Sequence, residues 1–522
     1  MLSTLRTTAS NRVFGQIRAA STQAQKRAGD ISDAFASLSG QNFAPLGPEY
    51  AELKARLIRG HESKVRESWE RLLRDLREEI PSVVQAGSKG IPEIDFKDLD
   101  NAPEKFNSEL RKRGVAVVRG VIPQDEALQW KEDIREYIRL NPQTKGMILQ
   151  VTKIILPLLI APTAFPPENP QVFELYWSRA QLLARGHPNL LRTHRFLMSF
   201  WHSADPSVPI STRHPISYAD RLRMRLPGDA KFALGPHVDG GSVERWDERG
   251  YGLGKVYDDI WRGEWEKFDP WEAGCRLPVK ADLHQGVGAC TAFRMFQGWL
   301  SLSTTGPFEG TLLVNPLLAK ATAYYLLRPF FSPKRGVDAG AQTTTEGLSN
   351  SLDFLASDNW EMDATPTSWV QGATPGHGQE LSHLLHPHLN LQKSMIHMPT
   401  VNPGDYVAWH CDTIHAVDKT HAGNSDSSVL YIPACPLTED NAKYLKRQRE
   451  NFFDGTPSPD FGGGIGEGGH VGRIKVEDME KLVSDEALGA MGLKEWDSKG
   501  EGLSAGEKEA LDRANKVLGF YD

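Results

Sequence analysis

The chain has 522 residues, 39% of them hydrophobic and 24% charged, so it can bury a sizeable core and exceeds one average domain in length. A formal charge of -7, with no Lys/Arg run interleaved with aromatics, excludes the electrostatic footprint of a nucleic-acid binder. Four cysteines with no CxxC pair exclude a disulfide framework and point to a reducing compartment.

Residues 1–29 hold five basic side chains (Arg6, Arg12, Arg18, Lys26, Arg27), no acid, and abundant Ser, Thr and Ala. They lack the apolar stretch of a secretory signal. The composition reads as a mitochondrial transit peptide, with a disordered basic tail on a cytoplasmic protein as the alternative. Residues 30–89 form a helical segment, in which 50–85 carry apolar residues at helical spacing among dense mixed charge, as one or two amphipathic helices. "GIPEIDFKDLDN" (90–101) starts extended and turns. "FNSELRKRG" (106–114) reads as a helix ended by Gly114, "VAVVRGVI" (115–122) as a buried strand, and 123–142 as a helix with Pro123 near its start and Pro142 just past its end. The most apolar run, "IILPLLIAP" (154–162), is broken by prolines and falls short of the ~18–20 residues a membrane helix needs, so no membrane span is expected.

"RLRMRL" (221–226) alternates Arg with Leu and Met, which predicts a strand with one apolar face. Its arginine face, with Arg223 and Arg225, is either solvated or holds an anionic ligand. Residues 291–303, a turn at 304–310 and 311–316 read as a β-hairpin. Residues 317–395 read as an insertion: a helix, then a polar loop with His377, His383, His386 and His388 at no standard zinc spacing. Strand character returns at 394–401, 404–417 and 427–436. In the C-terminal region, 446–522, "FGGGIGEGGHVG" (461–472) follows no strand and opens no βαβ unit. It is expected to be a flexible loop before helices within 475–519.

The chemistry concentrates at "GPHVDGG" (235–241). On a strand, residues two apart share a side, so His237 and Asp239 can present an imidazole and a carboxylate to one point. A second HxD, His410-Cys411-Asp412, lies in "PGDYVAWHCDTIHAV", where a tight turn at 403–405 leads into an aromatic-rich strand and then to His415. Antiparallel strands closing a small barrel would bring His415 beside His237. Two histidines and one carboxylate suit Fe(II) and leave coordination positions open. The chain carries no GxSxG, HExxH or P-loop.

"HVD" followed far downstream by "PGDYVAWHCDTIH" resembles the Fe(II)/2-oxoglutarate-dependent dioxygenases, in the clavaminate-synthase-like and phytanoyl-CoA-dioxygenase-like branches. "IPEIDF" and "GVAVVRGVI" resemble the opening strands of such enzymes, and the whole-length pattern is similar to a bacterial and fungal family without assigned chemistry. The resemblance covers about 90–445. It implies an α+β chain with a double-stranded β-helix (jelly-roll, cupin-like) core, flanking helices and a long insertion at about 317–395, placed over the substrate as a lid. It further implies His237, Asp239 and His415 as iron ligands and catalytic centre, 2-oxoglutarate as cosubstrate, O2 as oxidant, and hydroxylation of a small molecule. His410 matches a histidine that precedes the distal ligand and is read as a packed side chain.

The sequence departs from the family in having no arginine about ten residues past His415 to grip the far carboxylate of 2-oxoglutarate. Lys419, Arg294, Arg223 and Arg225 are the candidate substitutes, and Gln297, Trp299 and Trp409 the candidate pocket lining. The rival readings are a metal-binding cupin-like protein that does not use 2-oxoglutarate, and a non-enzymatic ligand sensor.

Overall fold

Val115–Arg119 (β2) is apolar at every position but the last and buried along its length, as a strand with a packed layer on each side must be. Its alternate residues divide between two cores. Val115 and Val117 join one cluster, while Ala116 and Val118 join another. This structure, a computed structural model, describes residues 34–38, 43–144, 171–230, 234–286, 289–335, 353–462 and 464–521. The basic leader at 1–29 and the 154–162 run lie outside them. No helix among the described residues is long and apolar enough to cross a membrane.

β2 lies in a seven-stranded sheet ordered β1-β2-β13-β7-β15-β5-β3. The other members are β1 (Glu93–Asp95), β13 (Tyr406–His410), β7 (Phe296–Ser301), β15 (Ser427–Tyr431), β5 (Leu222–Arg225) and β3 (Val172–Phe173). Only the β1–β2 pair is parallel. A second, antiparallel sheet is ordered β11-β6-β14-β8-β12, from Gln379–Glu380, His237–Val238, His415–Val417, Leu312–Val314 and Ile396–His397. Two short pairs complete the set, β4 (Ser211–Ile216) with β16 (Cys435–Leu437) and β9 (Phe331–Pro333) with β10 (Trp360–Met362). The architecture is mixed α+β with several sheets. The two large sheets stay separate hydrogen-bonded units, and no strand pair among the described residues closes them into a barrel.

One core lies between these sheets. Val117, Trp299, Val407 and Trp409 meet Val238, Val314, Ile396 and Ala416 there. The helix Glu62–Ala86 borders it with Val65, Trp69, Leu72, Leu76, Ile80 and Val83, an i, i+3/i+4 stripe. The far face of the large sheet packs on the helices Glu104–Arg113, Gln124–Leu140 and Pro188–Met198 through Leu110, Trp130 and Leu190. The helices expected within 50–85, 106–114 and 123–142 form, the first region as two helices, Pro48–Leu57 and Glu62–Ala86.

Three expectations are corrected. The 291–316 hairpin does not form: β7 pairs with β13 and β15 in one sheet, while β8 pairs with β14 and β12 in the other. Both runs are apolar, so their pattern signals burial and says nothing about which strand each will meet. The arginine face of 221–226 is not solvated, since all four residues of β5 are buried. The glycine-rich tail is not a free loop. Glu467 is buried within it, accepting the backbone N–H groups of Tyr176 (2.8 Å) and Trp177 (2.9 Å) and the hydroxyl of Tyr137 (3.3 Å). Burial pushes its carboxyl up to about 7.

Candidate metal centre

β6 and β14 pair antiparallel with His237 directly opposite His415. The two imidazoles therefore share a sheet face, with ring centroids 4.1 Å apart. Asp239 follows β6 and returns to the same point, its Oδ1 3.6 Å from His237 Nε2 and its Oδ2 3.9 Å from His415 Nε2. The chain then turns through Gly240 and Gly241, both with positive φ. A Cβ on Gly241 would sit 2.3 Å from the Ala281 carbonyl oxygen, so only glycine fits this turn.

The ring orientations are fixed from behind. His237 Nδ1 lies 2.7 Å from the Gly235 carbonyl oxygen, and His415 Nδ1 lies 3.0 Å from that of Thr413. A carbonyl oxygen only accepts, so each Nδ1 carries the proton and each Nε2 presents a lone pair toward Asp239. Burial pulls His415 down to about 3, which keeps it neutral. Burial opposes the charge on Asp239, but nearby positive charge, with the guanidinium groups of Arg294 and Arg245 in it, holds the carboxyl below its usual range. Two imidazole nitrogens and one carboxylate, with ligand atoms all within 4.8 Å of one another, form a donor set that fits a divalent transition metal.

A second group, His410, Cys411 and Asp412, has ligand atoms equally close together, but they are already committed. His410 Nε2 donates to the Pro270 carbonyl (2.9 Å), and its Nδ1 accepts the Asp412 N–H (3.0 Å). The ring stacks on Trp201 with centroids 4.6 Å apart. Asp412 Oδ1 accepts from Arg245 (2.8 Å) and Tyr257 (3.2 Å), and Oδ2 from Arg276 (2.5 Å). Burial opposes ionisation of Asp412, yet Arg276 and Arg245 hold the carboxyl far below its usual range. Arg245 also donates to the backbone carbonyl of Asp239 (2.6 Å). The second HxD thus braces the first through one guanidinium. Burial raises the thiols of Cys275, Cys290 and Cys411 to about 12, 11 and 12, so none is a thiolate nucleophile near neutral pH.

His237, Asp239 and His415 stand in the wall of a cavity of about 190 Å3, which Gln297, Trp299 and Trp409 also line. Of the candidate cations, Arg294 and Arg223 face this cavity. Arg294 comes 3.5 Å from Asp239 Oδ2. Arg225 does not face it: it is buried against Asp229 (2.8 Å) and the Asp418 carbonyl (2.7 Å), since the end of β5 turns it away from the cavity. Lys419 does not either, being exposed on the turn after β14. Sequence reasoning missed Arg221, Asp460 and Phe461, all in the cavity wall. Asp460 adjoins and Phe461 opens the glycine-rich stretch, whose lack of periodicity hid their placement. The region read as an insertion supplies β11, paired to β6 through Gln379↔Val238, and places His377 on the cavity wall. His386 is buried in the core, and His377, His383, His386 and His388 do not gather as a metal cluster among the described residues.

Fold and site together define a mixed α+β protein with a candidate mononuclear metal centre between two sheets. The chain belongs to the Gig2-like family, which it matches over residues 44–493. It is similar to the crystal structure of GlcNAc Inducible Gene 2 from Candida albicans, at 29% identity and a TM-score of 0.75, covering 92% of this chain and 96% of that one. The solved structure of a proposed oxidoreductase from Salmonella typhimurium LT2 is 26% identical with a TM-score of 0.69, covering 86% and 98%. The uncharacterised protein YbiU of Escherichia coli K12 is 27% identical over 426 residues, 79% of this chain and 88% of that protein.

Proposed function

We propose that the chain is a non-haem Fe(II) oxygenase on a jelly-roll core that uses 2-oxoglutarate and O2 to hydroxylate a small molecule. The observation that carries this reading is the cross-strand pair His237–His415, each ring locked by a carbonyl so that its Nε2 points at Asp239. The Salmonella relative, itself described as a proposed oxidoreductase, supports an enzymatic role. Bound at this donor set, Fe(II) with 2-oxoglutarate and O2 would supply the oxidising chemistry for hydroxylation of a substrate C–H bond. His237 and His415 would hold the ion through their Nε2 atoms, and Asp239 would offset its charge. Arg294 and Arg223 bind and orient an acid in the cavity, as guanidinium suits carboxylate. Trp299 and Trp409 exclude water from the site.

The test is anaerobic addition of Fe(II), then 2-oxoglutarate, while recording the visible spectrum. A charge-transfer band in the wild type that is absent in His237→Ala is the expected result. Iron bound without a band would retain the metal centre and favour the reading without 2-oxoglutarate. No iron bound would leave the ligand-sensor reading.

A further inference from the structure

A second and larger cavity, about 780 Å3, meets the first at Asp239, Arg294 and Gln297. That volume suits a metabolite-sized ligand, where the first cavity is close-fitting. Gln297 is 6% exposed, and its Nε2 donates to no acceptor among the described residues. A buried amide donor with no partner costs stability, so one placed on the wall shared by two cavities is explained by a ligand oxygen.

The outer part of this cavity is cationic in a chain whose net charge is -7. Lys446 and Arg447 lie on the face of the helix Glu439–Asp454 that lines the cavity, and Lys516 reaches it from the helix Ala505–Leu518. None of the three makes an ion pair with a described residue. Of the acids on this part of the wall, Asp440 is already shared between Lys280 (3.1 Å) and Lys443 (2.9 Å), and Glu450 is outnumbered by Lys446, Arg447 and Lys516. An excess of cations over acids around a concave mouth concentrates anions there.

We propose that this cavity holds the primary substrate and that the substrate is an organic anion. Its phosphate or carboxylate group is held by Lys446, Arg447 and Lys516, and its reacting end lies at Gln297 and Arg294, beside Asp239. The placement of the reacting end rests on the oxygenase reading above, whereas the anion site stands without it.

The test uses metal-free full-length protein and three probes in calorimetry: phenyl phosphate, phenylacetate and the neutral 2-phenylethanol. The variant K446Q/R447Q/K516Q keeps good helix formers at helical surface positions, and unchanged thermal unfolding checks its fold. An exposed-lysine control, K97Q/K105Q/K481Q, removes as much charge elsewhere. An anionic probe should bind wild type and control alike, at least about tenfold tighter than the triple variant, and more weakly as salt rises. The tighter of the two anions identifies the group. Equal binding by the triple variant, neutral-probe binding as tight as anionic, or no anion binding to wild type would each overturn the proposal. Iron retention is measured separately on the same proteins. Wild type that binds the anion but no iron would overturn only the oxygenase reading.

Discussion

The two HxD tripeptides, His237-Val238-Asp239 and His410-Cys411-Asp412, have the same spacing and opposite fates. In the first, the His237 Nδ1 proton is donated behind the ring and the ligand-bearing atoms converge on open space. In the second, both ring nitrogens and both carboxylate oxygens are satisfied by protein neighbours. Spacing brings ligand atoms together. Whether they remain available depends on what the rest of the chain has already bonded to them.

The largest expected break in this contrast is Asp412→Ala. It leaves Arg245 and Arg276 buried without their shared carboxylate and should cost about 3–5 kcal/mol in denaturant unfolding. Asp239→Asn should cost roughly 1 kcal/mol or less in the metal-free protein, because Asp239 is half-buried and its ion pair with Arg294 is loose at 3.5 Å. If the two variants unfold alike, the contrast fails.

Next comes metal affinity. His237→Ala should lower Fe(II) or Zn(II) affinity by at least about 100-fold, beyond the 10–100-fold typical of outer partners of a metal site. His410→Phe, which keeps a flat ring against Trp201, should change it far less. Equilibrium dialysis reads both.

Acid then sharpens the comparison. His410 and His415 are each pulled by burial to about 3 in the folded chain, below the ~6.5 of an unfolded histidine. The unfolded state therefore binds more protons between these values, and the stability each ring contributes above about pH 6.5 is lost as pH falls toward 3. His410→Phe and His415→Phe should each flatten the fall in urea midpoint between about pH 7 and pH 4, with metal binding lost only in the second. The last comparison concerns the central residues of the two tripeptides. Val238→Ala should cost about 2 kcal/mol from the core between the sheets, and Cys411→Ala under about 1 kcal/mol. Calorimetric Tm shifts should keep that order.

Much of the site was legible because its signals are local. His237 and Asp239 are two apart, and His415 follows a turn and an aromatic strand, so the pairing of β6 with β14 only had to bring two short segments together. The long-range parts were hidden. Arg223 and Arg225 look equivalent by period, yet one faces the cavity and the other ends on Asp229. Lys419 is near in sequence and faces solvent, while Arg221 and Phe461 are far from the motif and line the cavity. The pairing of β7 and β8 was misread for the same reason: apolar runs report burial without naming their neighbours.

Asp460 and Phe461 line one cavity, Lys446, Arg447 and Lys516 the other, and Glu467 fills a buried socket beside Tyr176. A nonsense or frameshift allele ending near residue 445 would therefore encode every ligand-bearing side chain of the candidate centre and none of these six side chains. A genome survey that scores such alleles by motif would count them intact, whereas the encoded proteins should behave as nulls.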